Sequence, residues 1–338
     1  MRLSKQLFLN GKKVPKDISQ IPTKDLFSSD YGIVHFLNPG VPTYLPFGFR
    51  IKKNLESLFE ETLEIREFTQ IDLPRIHGLD IIEKSGKLGG KFEDEFFVSN
   101  DMVLRATSEE LILELASKGL ISYRQLPIVY FANSTANRNV LRAKGIERLR
   151  EFSGIVGSVL SESRVDLETS LQLFDESVRE ILDLLNVPYE VREKNGGFEF
   201  IYIDSNDSRI SIAMAYPSSF RDDFRVRFQS EDTHIKVPFM GTFGIGLERT
   251  LYSVFDRNRT QNSLNLPKLI MPFKCVIIPV DSKNSRHVQV SQYLSKSIKG
   301  SYVDDRSNLS INNRLTFAEF FGIEEKKIVG DREVKIYS

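Results

Sequence analysis

Apolar positions Ile51, Leu55, Leu58, Phe59 and Leu63 recur at helical spacing, with Lys52, Lys53, Glu56, Glu60 and Glu61 between them, which predicts an amphipathic helix over 51–63. A strand-like run, 68–73, stops at Pro74, where a strand interior does not readily continue. Residues 96–106 read as a strand, and Leu111, Leu113, Leu115 and Ala116 start a helix behind Thr107 and Ser108. Either hydroxyl can cap that helix, and Glu110 can close a capping box. Residues 122–132 lead into a further strand. Leu167, Leu171, Phe174, Val178, Ile181, Leu182 and Leu185 then form a long helical face that ends at Asn186-Val-Pro188. Strand candidates follow at 191–192, 198–203, 210–215, 225–229 and 234–240. Strands and helices are grouped rather than alternating, which predicts an α+β domain on an antiparallel sheet. The polar run 256–263 reads as a linker. Beyond it, a strand at 275–280, a helix at 288–298, Val303-Asp-Asp-Arg306, a helix at 310–321 and the run 327–333 make a small alternating α/β unit. The predicted division is therefore 1–262 and 268–338.

Composition narrows the class. Of 338 residues, 41% are hydrophobic and 27% charged, the balance of an ordinary globular protein. Lys+Arg and Asp+Glu both number 46, so any nucleic-acid contact has to come from a local basic patch. The single cysteine, Cys275, excludes a disulfide framework and a multi-cysteine zinc site. His35, His77, His234 and His287 stand apart from one another, away from ligand spacing. No apolar run is long enough to span a membrane. The first sixteen residues carry Arg2, Lys5, Lys12, Lys13 and Lys16 with no acid. That start fits an organellar targeting segment, hence a mitochondrial matrix location, and equally an exposed basic N-terminus on a cytoplasmic protein.

The chemistry concentrates in three places. Residues 239–253 read as a strand that becomes a helix after Gly246, with Leu247, Leu251 and Val254 on one face. Gly241, Gly244 and Gly246 strip side chains from one edge of the strand, and Arg249 falls in the first helical turn. A helix N-terminus favours anions, and arginine adds a planar fork suited to phosphate. Thr107 and Glu109 offer a hydroxyl and a carboxylate suited to an ammonium group. The stretch 137–152 bears Arg138, Arg142, Lys144, Arg148 and Arg150 against Glu147 and Glu151, the densest basic run in the chain.

These blocks resemble class II aminoacyl-tRNA synthetases. The stretch Gly244-Ile-Gly-Leu-Glu-Arg249 is similar to that family's motif 3, residues 51–74 to its motif 1, and 137–152 occupies the place of its motif 2. Within the class, the chain resembles prolyl-tRNA synthetases of the bacterial and organellar type. The resemblance runs through Met1–Lys5, Gly40–Arg50, Thr107–Glu110, Ser122–Pro127, Arg148–Phe152, Met240–Arg249, Asp304–Arg306, Gly322–Ile323 and Val329–Arg332. It implies a class II antiparallel sheet flanked by helices, plus a small α/β anticodon-binding domain. It implies ATP with Mg²⁺, proline and tRNA as partners, and a homodimer. Carried onto this chain, the family's roles make Arg138 and Arg249 catalytic. They place Arg148, Arg150, Glu151, Gly244, Gly246 and Arg249 on ATP, and Thr107, Glu109, Ser218 and Gly244 on the amino acid, with Mg²⁺ bridging phosphates and Glu151 the candidate carboxylate for it.

The chain departs from the family in three ways. The editing insertion of the large bacterial forms is missing, since Gly196–Phe200 runs directly into the next block. The Arg-x-Glu pair of motif 2 falls on Asn137 and Asn139, or, with a one-residue shift, on Arg138 and Val140. The block that shapes the family's proline and ATP pocket appears as Ser211–Ser218, without its histidine and glutamine. Two alternatives to an active proline enzyme therefore stand. One is a non-catalytic paralogue that binds tRNA or another nucleic acid, and the other an ATP-dependent ligase for a different amino acid.

Overall fold

Seven strands form the main sheet, in the spatial order 190–194, 197–203, 209–217, 239–246, 151–161, 128–137 and 69–70. Every neighbouring pair is antiparallel except the edge pair of 69–70 with 128–137. The computed structural model describes residues 1–9, 11–87, 96–218, 223–331 and 334–337. The predicted antiparallel α+β architecture is borne out. Contacts divide the chain into two units, one of 1–37, 42–55 and 254–338, the other of 38–41 and 56–253. The predicted division at 262–268 follows chain order, whereas the contact groups follow space.

In the larger unit the main sheet carries the helix Arg164–Leu184 on one face. Ser163 caps that helix, accepting from the Asp166 amide. Strand alternation sorts the strand Phe239–Gly246 between the two faces. Phe243 packs against Phe174 of the helix, the rings tilted by 35° with 4.5 Å between their centres. Gly241 also faces the helix, because a Cβ there would lie 2.6 Å from a Leu167 methyl. The three glycines therefore do not clear one edge together as predicted. Gly241 serves helix packing, and Gly244 and Gly246, of opposite parity, face the other side of the sheet.

Several predicted elements shift. The strand predicted over 96–106 is a hairpin, Phe97–Ser99 with Met102–Leu104, turned at Asn100 in a left-handed conformation (φ 54°). The run 225–229 keeps only Phe228–Gln229 as strand. The first predicted helix extends over Pro46–Ile65, and its Glu56, expected outside, is buried.

The other unit holds a four-stranded sheet. Strands 275–279, 301–303 and 325–329 run parallel, and 334–337 runs antiparallel to 325–329, with helices Ser285–Ser297 and Ile311–Phe320 between them in the chain. That is the alternating unit read from the sequence. Arg332 and Glu333 of the 327–333 run lie outside the described residues.

The N-terminal residues join this second unit. Arg2 donates to the Asp305 carboxylate at 2.5 Å, and the Ser4 amide and hydroxyl add bonds of 2.9 and 2.8 Å. Arg306 is fully buried, ion-paired with Asp304 and donating to the Leu9 carbonyl at 3.3 Å. The polar run 256–263 is not a free linker. Asp256 is buried and accepts from Thr23 at 2.5 Å, and the Gln261 carbonyl accepts from the Ile18 amide at 2.6 Å. Its polar side chains are hydrogen-bonded within the unit, which is why polarity alone misread it.

Candidate active site

On the sheet face opposite the helix Arg164–Leu184 lies a cavity of about 460 Å³, within the larger unit. Gly244 and Gly246 form part of its floor, and Gly154 is paired directly opposite Gly246. A Cβ on Gly246 would meet nothing nearer than 3.7 Å, so this glycine keeps the space open rather than relieving a backbone clash. Alternation on the neighbouring strand brings Ile212, Met214 and Tyr216 onto the same floor.

The same alternation resolves the ambiguity in the basic run. Ser134, Ala136 and Arg138 line the cavity and Asn137 does not. The Asn137 amide instead donates to the Arg105 carbonyl at 2.7 Å. The guanidinium of Arg138 donates from Nε to the Ala106 carbonyl at 3.2 Å and lies over the Phe152 ring at 5.1 Å. Two residues further on, the cavity wall is Val140, an apolar side chain with no acceptor.

Arg249 sits in the first turn of the helix Leu247–Asn258, and one Nη donates to the Ser211 carbonyl at 3.0 Å. Arg148 completes the cationic set in the cavity. Desolvation by the surrounding protein pushes the Arg249 pKa down, and the charges of Arg138 and Arg148 push it further, against the opposing pull of Glu199. A guanidinium whose charge is disfavoured by burial and by two neighbouring arginines makes a site that gains from an anion.

At the other end, the segment 105–108 is pinned beside the strand Ile128–Asn137. Buried Arg105 donates to the Leu73 carbonyl at 2.7 Å and the Thr135 carbonyl at 3.1 Å. The Ser108 and Ser134 hydroxyls are 3.2 Å apart. Thr107 and Glu109 both line the cavity, as predicted. The predicted capping box at this helix is absent. Ser108 is the N-cap but makes no side-chain cap bond, and Thr107 donates to the Glu110 carboxylate at 2.7 Å instead. The Lys87 ammonium binds Glu109 at 2.5 Å, Glu110, and Thr107 at 3.3 Å. Burial works to lower the Lys87 pKa, but Glu109 and Glu110 outweigh it and raise it, so the group stays an ammonium. Tyr216 lies between the two ends, its phenol pKa raised by burial first and then by Glu109.

Of the predicted residues, Thr107, Glu109, Arg138, Arg148, Gly244, Gly246 and Arg249 share this cavity. Arg150, Glu151 and Ser218 do not line it. Arg150 Nε donates to the Val140 carbonyl at 3.2 Å, bracing the loop. Glu151 opens its strand and pairs with Asn137, on the parity that faces away. The Ser218 amide closes on the Met240 carbonyl at 2.8 Å, beyond the strand end where Tyr216 faces inward. Sequence reasoning missed Lys87, Gly154, Tyr216 and Glu248. Glu248 accepts from the Ser153 amide at 2.8 Å, tying the helix start to the adjacent strand. Strand alternation contains the signal for Gly154 and Tyr216. Nothing local marks Lys87.

Residues 91–258 match the model of the tRNA synthetase class II core domain (G, H, P, S and T). The chain is 22% identical over 319 residues to a proline–tRNA ligase of Thermoplasma acidophilum, covering 88% of this chain and 69% of that protein. It is 21% identical over 407 residues to one of Ehrlichia ruminantium, covering 99% and 93%. Among solved structures, Giardia lamblia prolyl-tRNA synthetase in complex with prolyl-adenylate matches with a TM-score of 0.78 at 19% identity, covering 96% of this chain and 75% of that one. The Cryptosporidium parvum enzyme complexed with L-proline and AMP matches with a TM-score of 0.77 at 17% identity, covering 98% and 73%. The expected class II resemblance is borne out.

Proposed function

We propose that this chain, whose residues 91–258 carry a class II tRNA synthetase core domain, is a proline–tRNA ligase. It condenses proline with ATP to prolyl-adenylate and passes the prolyl group to the 3′ end of tRNA. The observation that carries this reading is the convergence of Arg138, Arg148 and Arg249 with Thr107 and Glu109 in one glycine-floored cavity. Relatives that bear the name proline–tRNA ligase, and a structural neighbour bound to prolyl-adenylate, support it.

The division of labour follows from charge. Glu109, with the Thr107 hydroxyl, receives the protonated imino nitrogen and holds the carboxylate of proline toward the arginines. Arg138 and Arg249 hold the α-phosphate. They offset the charge that accumulates as a carboxylate oxygen attacks phosphorus and pyrophosphate leaves. Arg148 lies at the cavity edge for the outer phosphates or the acceptor end of tRNA. The protonated Tyr216 phenol is a donor between the two substrates.

Among the described residues no group of three His, Cys, Asp or Glu side chains is placed to hold a metal ion. Mg²⁺ would enter with its nucleotide as MgATP.

Other assignments follow the same reading. Residues 268–338 serve the anticodon. Homodimerisation is supported by Ile76, Val98, Met102 and Leu104, which are exposed on the small sheet 76–78, 102–104 and 97–99. Sedimentation of the purified chain tests the dimer. A mitochondrial location rests on the basic, acid-free first sixteen residues, and imaging of a fluorescent fusion tests it. Among the described residues no helix is long and apolar enough to cross a membrane.

Amino-acid-dependent ATP–pyrophosphate exchange, run across the standard amino acids, tests the central reading. Exchange with proline alone supports it, and exchange with another amino acid reassigns the substrate. Val140, which leaves the arginine without its expected acidic companion, favours the second reading of a non-catalytic tRNA-binding paralogue. Absence of exchange from folded protein that still binds tRNA establishes that second reading.

A further inference from the structure

Glu110 is fully buried, and Glu109 beside it is only 14% exposed at its side chain. Two carboxylates this close, one shut off from water, require a cation between them. Lys87 supplies it. Its ammonium touches Glu109, Glu110 and the Thr107 hydroxyl together. Two of these, Thr107 and Glu109, line the cavity and are the groups that a substrate ammonium needs. Lys87 reaches them from beyond the helix Leu79–Lys84, through a turn at Gly86 in the left-handed conformation (φ 66°).

We propose that the Lys87 ammonium is a tethered occupant of the amino-acid subsite, so that the amino acid binds by displacing it. The exchange replaces one ammonium by another on Glu109 and Thr107, which line the cavity, while Glu110 keeps the Thr107 hydroxyl at 2.7 Å. Glu109, the carboxylate that lines the cavity, is therefore ion-paired before and after the swap. The cost falls on apparent affinity. A side chain held on a short tether acts as a competitor at millimolar effective concentration, and the free subsite is only a fraction of the population. Lys87 thereby sets the amino-acid concentration at which the enzyme works and disfavours ligands without a cationic nitrogen. This inference rests on the proposed binding of an amino acid at Thr107 and Glu109.

Two measurements on the full chain test it. In the first, binding of L-proline and of ATP is measured separately for the wild type and for Lys87→Met. The expected result is proline binding tighter in the variant by about tenfold or more, with ATP affinity unchanged. In the second, acetylation of Lys87 is followed by mass spectrometry on the wild type, so that no variant need fold. Saturating proline is expected to accelerate labelling several-fold, because it expels the amine from its ion pairs. Equal proline affinity in the two proteins, or weaker binding by the variant, overturns the inference and leaves the function standing, as does labelling that proline leaves unchanged or slows. If neither protein binds proline while both bind ATP, the amino-acid reading itself fails and the inference falls with it.

Discussion

Arg249→Met removes the guanidinium and keeps most of the side-chain volume. Among the described residues that guanidinium makes one hydrogen bond, to the Ser211 carbonyl at 3.0 Å, and it is disfavoured by the charges of Arg138 and Arg148. The lost bond costs about 0.5–1.5 kcal/mol, and relief of the like-charge crowding acts in the opposite direction. Net stability therefore moves by no more than about 1 kcal/mol, a shift of roughly 2–4 °C or less in Tm for a chain of this size. Activity behaves differently, because in the proposed role the remaining N–H groups meet the phosphate where charge develops. Loss of one such preorganised donor costs on the order of 2.7–4 kcal/mol at the transition state, about 10²–10³ in rate. Proline-dependent ATP–pyrophosphate exchange and a thermal melt on the same preparation separate the two effects. Arg249→Lys keeps the charge but loses the fork, and its rate is expected between those of the wild type and Arg249→Met. Exchange within threefold of the wild type in Arg249→Met would refute the catalytic role. A fall in Tm of roughly 8 °C or more would recast Arg249 as a structural residue.

Two neighbouring glycines should respond in opposite ways. Gly246→Val projects into open cavity, where the nearest atom is 3.7 Å from the new Cβ, so Tm should hold while nucleotide binding falls. Gly241→Val meets Leu167 at 2.6 Å on the helix face and should cost about 1–3 kcal/mol, read by denaturant unfolding. The reverse pattern would mean that the two faces of this strand are misassigned. Acid should weaken the unit that joins the chain ends. Burial works to raise the Asp305 pKa, but the Ser4 amide and hydroxyl and the Arg2 guanidinium outweigh it, holding the folded value below the unfolded 3.8. A depressed carboxylate contributes stability that is present above pH 3.8 and is lost as pH falls through the folded value. Asp305→Asn should therefore lower stability near neutrality by about 1.5–3 kcal/mol and flatten the acid limb of a Tm-against-pH curve. An unchanged acid limb would remove Asp305 from the account.

Much of the site was legible along the chain because its signals are local. A strand that runs through glycines into a helix needs only residues 239–258, and the arginine in that first turn is fixed by the count from Gly246. Thr107 and Glu109 were legible as polar groups just ahead of a helical apolar run. The assignment within the basic run was not. Period-two alternation says that Asn137 and Arg138 face opposite ways, but which one meets the cavity depends on the register with the strand Glu151–Ser161.

The pattern of apolar positions determined the helices, the antiparallel sheet and the alternating unit after residue 268, because burial of one face imposes a period that the chain itself displays. Tertiary structure alone decided what depends on residues distant in sequence. Glu110, read locally as a helix cap, is instead the buried partner of Lys87, 23 positions away. The Arg2 guanidinium finds its carboxylate 303 positions away at Asp305. A charged side chain states only that it needs a partner or water. Which of the two it receives is settled when the fold has determined what lies beside it.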